Sequence, residues 1–201
     1  MTLARDFVYL TITEEEYRQI LRYTDLHLSH EWMVKYDDRT FGQVLDPNKM
    51  NPNAIGILGE CLLGKKEGTP VQETLDNRPI QESDPGWDIL IGGLKYDIKT
   101  LTSPMGRRPT PKFRYNIKEK DITANKPNDG YFWISMIKYA VNPSMPWYWL
   151  GVGWMLKDEF LEKADFHKTG DKSVTGNDFV YSSPTYDIPI SKLHPYKDLP
   201  R

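Results

Sequence analysis

Trp87-Asp88-Ile89-Leu90-Ile91, then Gly92-Gly93, then Leu94-Lys95-Tyr96-Asp97-Ile98-Lys99-Thr100 is the stretch on which the fold turns. Two short runs that alternate apolar and polar residues, joined by a Gly-Gly pair, predict a β-hairpin. Side chains two apart on a strand share a face, so Asp97 and Lys99 project together. A two-residue turn pairs residues whose numbers sum to 185, which sets Asp88 opposite Asp97. Like charges directly opposite weaken a sheet. A divalent cation relieves the repulsion, and hard carboxylate oxygens suit Mg²⁺ or Mn²⁺.

Upstream, residues 36–53 are rich in Asp, Asn, Pro and Gly and predict turns leading into a helix from about Pro52 to Gly64. That helix is apolar apart from Glu60, which stands between Gly59 and Cys61. Gly56 and Gly59 are read as packing glycines that let the helix approach the sheet. Further back, Thr13-Glu14-Glu15-Glu16 has the form of a capping box, and Tyr17, Ile20, Leu21, Thr24 and Leu28 follow at helical spacing. Downstream, the aromatic and β-branched runs Tyr131 to Tyr139 and Trp147 to Trp154 predict strands that extend the sheet, and Lys157 to Lys163 predicts a short helix. Lys65 to Gln81 reads as a polar stretch, 104–130 as loop with short regular structure, and the tail from Thr169 as turns with one or two edge strands.

Asp88 followed by Asp97-Ile98-Lys99, with Gly56-Ile57-Leu58-Gly59-Glu60 upstream, resembles the PD-(D/E)XK nuclease superfamily. The motifs span residues 53–100, and the later strands and helix resemble those of small phage and prokaryotic nucleases. The resemblance implies an α/β, restriction-endonuclease-like mixed sheet flanked by helices, as one domain over 1–201 with its catalytic core at about 50–165. It implies Glu60, Asp88 and Asp97 as metal ligands, with Lys99 positioning and activating water. Here the first acid follows Trp87, whereas Asp84-Pro85 inverts the family's proline-acid pair, so Asp84 competes with Asp88 for that role.

The net charge of -2 does not by itself point to nucleic acid, but its distribution does. Arg107, Arg108, Lys112, Arg114, Lys118, Lys120 and Lys126 crowd the segment beyond the second hairpin strand, against Glu119 and Asp121. Such cations contact phosphates, and Phe113 and Tyr115 among them are candidates to stack on unpaired bases. The bland alternative is a solvated surface. Asn116, Lys118 and Lys120 precede the next strand and merit separate tests.

Hydrophobic residues at 39% and charged residues at 27% describe a folded globular chain. No apolar run approaches the ~20 residues that span a bilayer, and Arg5 and Asp6 interrupt the place a signal peptide would take. A cytoplasmic protein is expected, in the host cytoplasm if phage-encoded. Cys61 is the only cysteine and reads as a small buried hydrophobe. His27, His30, His167 and His194 lack zinc spacing, and Trp133, Trp147, Trp149 and Trp154 read as structural. The expected activity is Mg²⁺- or Mn²⁺-dependent endonucleolytic hydrolysis of DNA, with a homodimer suited to cutting both strands. The competing readings are a DNA-binding module that does not cut and a phage assembly protein.

Overall fold

The computed structural model describes residues 7–31, 52–78, 86–102, 108–124, 126–138, 147–173 and 180–201. Its centre is the hairpin of β2 (Ile89–Ile91) and β3 (Leu94–Thr102), antiparallel in the expected register, with Ile89 opposite Tyr96 and Ile91 opposite Leu94. Gly92 and Gly93 have φ of +56° and +78°, the left-handed pair that a two-residue turn of this twist demands. Beyond β3 lie β5 (Gly130–Lys138), parallel to it, then β6 (Trp147–Leu156) and β1 (Val8–Leu10), both antiparallel to their neighbours. The result is a mixed five-stranded sheet in the order β1-β6-β5-β3-β2, flanked by helices. The α/β class is therefore as expected.

Three helices cover one face of the sheet. In α1 (Glu14–Glu31) the capping box is present: Thr13 N–H donates to Glu16 Oε2 at 2.6 Å and Glu16 N–H to Thr13 Oγ1 at 3.2 Å. Tyr17, Ile20, Leu21 and Thr24 are buried at the predicted spacing. Next, α2 (Pro52–Lys66) brings Ile57, Leu58, Cys61, Leu62 and Leu63 into the same core as Tyr96, Ile98, Phe132 and Trp149 of the sheet. The third helix, α3 (Val71–Asp76), falls in what the sequence presents as a polar stretch. Its only buried residues are Val71 and Leu75, one turn apart and too few to show a period.

A second core lies on the opposite face. There β4 (Arg114–Lys118), β8 (Thr185–Pro189) and β7 (Asp165–His167) form a three-stranded sheet in the order β4-β8-β7. Tyr115, Ile117 and Ile188 from that sheet pack with Phe160 of α5 (Lys157–Lys163) against Tyr131, Trp133, Leu150 and Val152 of the large sheet. Two expectations are corrected here. The tail strand β8 is central to its sheet, not an edge, because both β4 and β7 hydrogen-bond to it. Tyr115 is wholly buried, so it is packing and not a base-stacking ring. The short helix α4 (Glu119–Thr123) follows β4 directly. Among the described residues no helix is long and apolar enough to cross a membrane.

Candidate active site

The hairpin delivers Asp88, Asp97 and Lys99 to one place. Asp88 lies just before β2, where its N–H donates to Tyr96 O at 2.8 Å and its Oδ2 accepts the Ile98 N–H at 2.6 Å. The side chain thus takes a ladder position that a backbone carbonyl would otherwise fill, which pins the carboxyl against β3. Asp97 is only 7% exposed, and its Oδ2 lies 2.7 Å from Lys99 Nζ, two residues along the same strand face. Burial first, and then the Asp97 carboxylate beside it, push the Asp88 carboxyl up to about 7. The Ile98 N–H bond and the positive charges of Lys99 and Arg78 pull the other way. One carboxyl of the pair is therefore poised between its two protonation states near neutral pH, a condition common at catalytic and metal-binding centres.

Glu60 comes to this region from the other layer. A Cβ on Gly59 would sit 1.9 Å from Thr100 Oγ1 and 3.4 Å from Ile98 Cγ2, so only glycine lets α2 approach β3 this closely. Gly56 has nothing within 4 Å of such an atom and is not a packing glycine. Ile98 and Thr100 face α2, and strand alternation turns Asp97 and Lys99 to the opposite face, where their β5 partners Tyr131 and Trp133 belong to the second core. The Glu60 carboxylate is in an ion pair with Arg78, just beyond α3, and Tyr23 of α1 also hydrogen-bonds Arg78. The arrangement is a run of charged groups, Glu60, Arg78, Asp88, Asp97 and Lys99, with two acids adjacent at its centre.

That run decides how the residues fit a cation. Asp88 and Asp97 offer adjacent hard oxygens of the kind Mg²⁺ and Mn²⁺ take. Glu60 is held by Arg78. Among the described residues no group of three or more His, Cys, Asp or Glu side chains is gathered as a metal-holding cluster. Arg78 was not singled out by sequence reasoning, since a lone arginine after a short helix carries no pattern. Asp84 falls outside the described residues.

The expected nucleic-acid contacts disperse. Arg107 falls outside the described residues, and Lys112, Asn116, Lys118 and Lys120 are exposed. Arg108 lies over the rings of Phe7 and Tyr9, its guanidinium carbon 5.5 Å and 5.8 Å from their centroids. Arg114 departs from its expected role. Its Nε donates to Asp187 Oδ1 at 2.8 Å and its Nη2 pairs with both Asp187 and Asp165, so this cation is engaged inside the small sheet. Asp187, 2% exposed, also accepts from the Tyr181 hydroxyl and lies 3.1 Å from His167 Nε2, whose ring stacks on Tyr181 at 4.3 Å. Burial acts to raise the Asp187 pKa, but Arg114, Tyr181 and His167 outweigh it and hold the carboxyl below its usual range. This network satisfies a buried charge and is far from any sequence motif.

No protein-family model, curated protein or solved structure matches the chain.

Proposed function

We propose that the chain is a metal-dependent nuclease of the PD-(D/E)XK type, hydrolysing DNA phosphodiester bonds as an endonuclease in the cytoplasm. One observation carries this reading. Two neighbouring carboxylates, Asp97 buried and Asp88 half-buried, share a hairpin with a lysine whose ammonium lies 2.7 Å from one of them, and burial together with the repulsion between them lifts Asp88 to about 7. A structural role for Asp-x-Lys on a strand does not call for a second buried acid beside it, because that acid weakens the sheet.

In this reading Asp88, Asp97 and Glu60 would hold the cation. The cation would supply charge neutralisation at the pentacoordinate phosphorus and lower the pKa of the attacking water. Lys99, fixed by Asp97, points a positive charge at that water or at the developing negative charge on the phosphate. Asp88 in its ionised form accepts hydrogen bonds and steadies the nucleophile.

The test is cleavage of circular and linear DNA, duplex and single-stranded, in Mg²⁺, Mn²⁺ or EDTA, comparing wild type with Asp97→Ala and Lys99→Ala. Metal-dependent cutting that both substitutions abolish while the proteins remain folded is the expected result, and cutting of the circle identifies an endonuclease. A wild-type protein that binds DNA without cutting it in any metal refutes the enzyme and leaves a binding module.

A further inference from the structure

We infer that the exposed ring of Tyr9, flanked by the half-buried rings of Phe7 and Tyr148 and accompanied by Arg108, is a stacking platform for unpaired bases of a single nucleic-acid strand.

Among the described residues, the rings of Tyr96, Tyr115, Tyr131, Phe132, Trp133, Trp149 and Phe160 are essentially inaccessible. Tyr9 is the opposite, 56% exposed on the edge strand β1. Its ring lies 6.3 Å from that of Tyr148 at an interplanar angle of 33°, and Phe7 shares its strand face two residues earlier. Arg108 lies over both Phe7 and Tyr9 and makes no ion pair with a described carboxylate. Exposed apolar surface beside an arginine suits a ligand that is flat, aromatic and anionic along its backbone. A single strand of nucleic acid is such a ligand, since every base offers a π-face and every link a phosphate. The other exposed ring on the described surface, Phe166, is 43% exposed and packs on Tyr186 with no described cation over it.

Placement ties the platform to the candidate active site. Across the sheet, Tyr9 pairs with Leu150, Leu150 with Ser135 and Ser135 with Leu101. Leu101 is on the strand face of Asp97 and Lys99. Tyr9 is therefore on the catalytic face, three strand spacings or ~14 Å from β3, roughly four nucleotides at the ~3.4 Å rise of a stacked strand. Arg108, six residues after the end of β3, lies over the ring of Tyr9 in β1. The inference rests on the nucleic-acid reading above and deepens it: the substrate carries a single-stranded segment beside the scissile bond.

The experiment is fluorescence anisotropy in EDTA, where nothing is cut, with a labelled oligothymidylate and the same oligonucleotide lacking its bases. Wild type is expected to bind the base-bearing strand five- to 150-fold more tightly per stacked base, the range that base stacking on aromatic rings gives. Tyr9→Leu, which keeps an apolar edge strand, should lose that advantage, Tyr9→Phe should retain it, and Arg108→Ala should weaken both ligands. Equal binding of the two oligonucleotides by wild type, or full retention of the advantage in Tyr9→Leu, overturns the platform. Duplex cleavage in Mg²⁺ is scored separately: a protein that stacks bases but cuts nothing upholds the platform and sinks the nuclease.

Discussion

Replacing Asp88 with asparagine should make the protein more stable at pH 8 while destroying its ability to gain stability from a divalent cation. In the fold the carboxyl titrates at about 7, lifted by burial and by Asp97, whereas in the unfolded chain an aspartate titrates near 4. A carboxyl raised in this way favours folding while it is protonated. Its contribution is whole below about pH 4 and is lost as pH rises to 7. Three pH steps at ~1.4 kcal/mol each set a ceiling of about 4 kcal/mol on the cost of ionising it in the fold. Asp88 is partly open to solvent, which screens the charge, so an expected gain for Asp88→Asn is about 1–2 kcal/mol at pH 8, falling toward zero at pH 4. The asparagine oxygen still accepts the Ile98 N–H, so that hydrogen bond is kept. Denaturant unfolding in EDTA at pH 4.5, 6 and 8 measures the gain. Repeating it in Mg²⁺ should stabilise wild type, most strongly at pH 8, and leave Asp88→Asn unmoved. An Asp88→Asn protein less stable than wild type at pH 8, or offset by the same amount at every pH, refutes the electrostatic argument.

Three further outcomes follow from the packing and charge around the site. Gly59→Ala should cost about 1–3 kcal/mol by overpacking, because the new methyl meets Thr100 Oγ1, and Thr100→Ala should recover part of that loss in a double-mutant cycle; strict additivity would show that α2 does not press on β3 there. Arg78→Ala should lower stability in EDTA by about 1–2 kcal/mol, since it leaves the Glu60 carboxylate partly buried without its partner. The same variant should bind Mn²⁺ more tightly than wild type, by titration calorimetry, and unchanged Mn²⁺ affinity would mean that Glu60 is no ligand. Asp187→Asn should cost about 1–3 kcal/mol at pH 7, as it leaves Arg114 with only the exposed Asp165 as a charged partner. The depressed carboxyl makes that difference shrink as pH falls below about 4, through the folded pKa, and a loss that persists undiminished in acid would point to packing instead.

The local elements, and the pairing that they impose, are legible in consecutive residues. Alternation on either side of Gly92-Gly93 was enough to predict the hairpin register, because a two-residue turn leaves one way to pair the strands and the period of two then sets each side chain's face. The capping box at Thr13, the glycine at 59 and the aromatic strands β5 and β6 were legible for the same reason: each is a short-range preference written in consecutive residues. The long-range charge partners, by contrast, are set by how the layers pack. Nothing in the chain near Glu60 announces that Arg78 will take it, and Arg114 sits in a basic run yet meets Asp165 and Asp187, 51 and 73 residues away. A buried charge goes to whichever counter-charge the packing of layers brings near, and that depends on how the two sheets and three helices close over one another. The burial of Tyr115 and the exposure of Tyr9 were settled in the same way, by which strand became the inner face of the small sheet and which the edge of the large one.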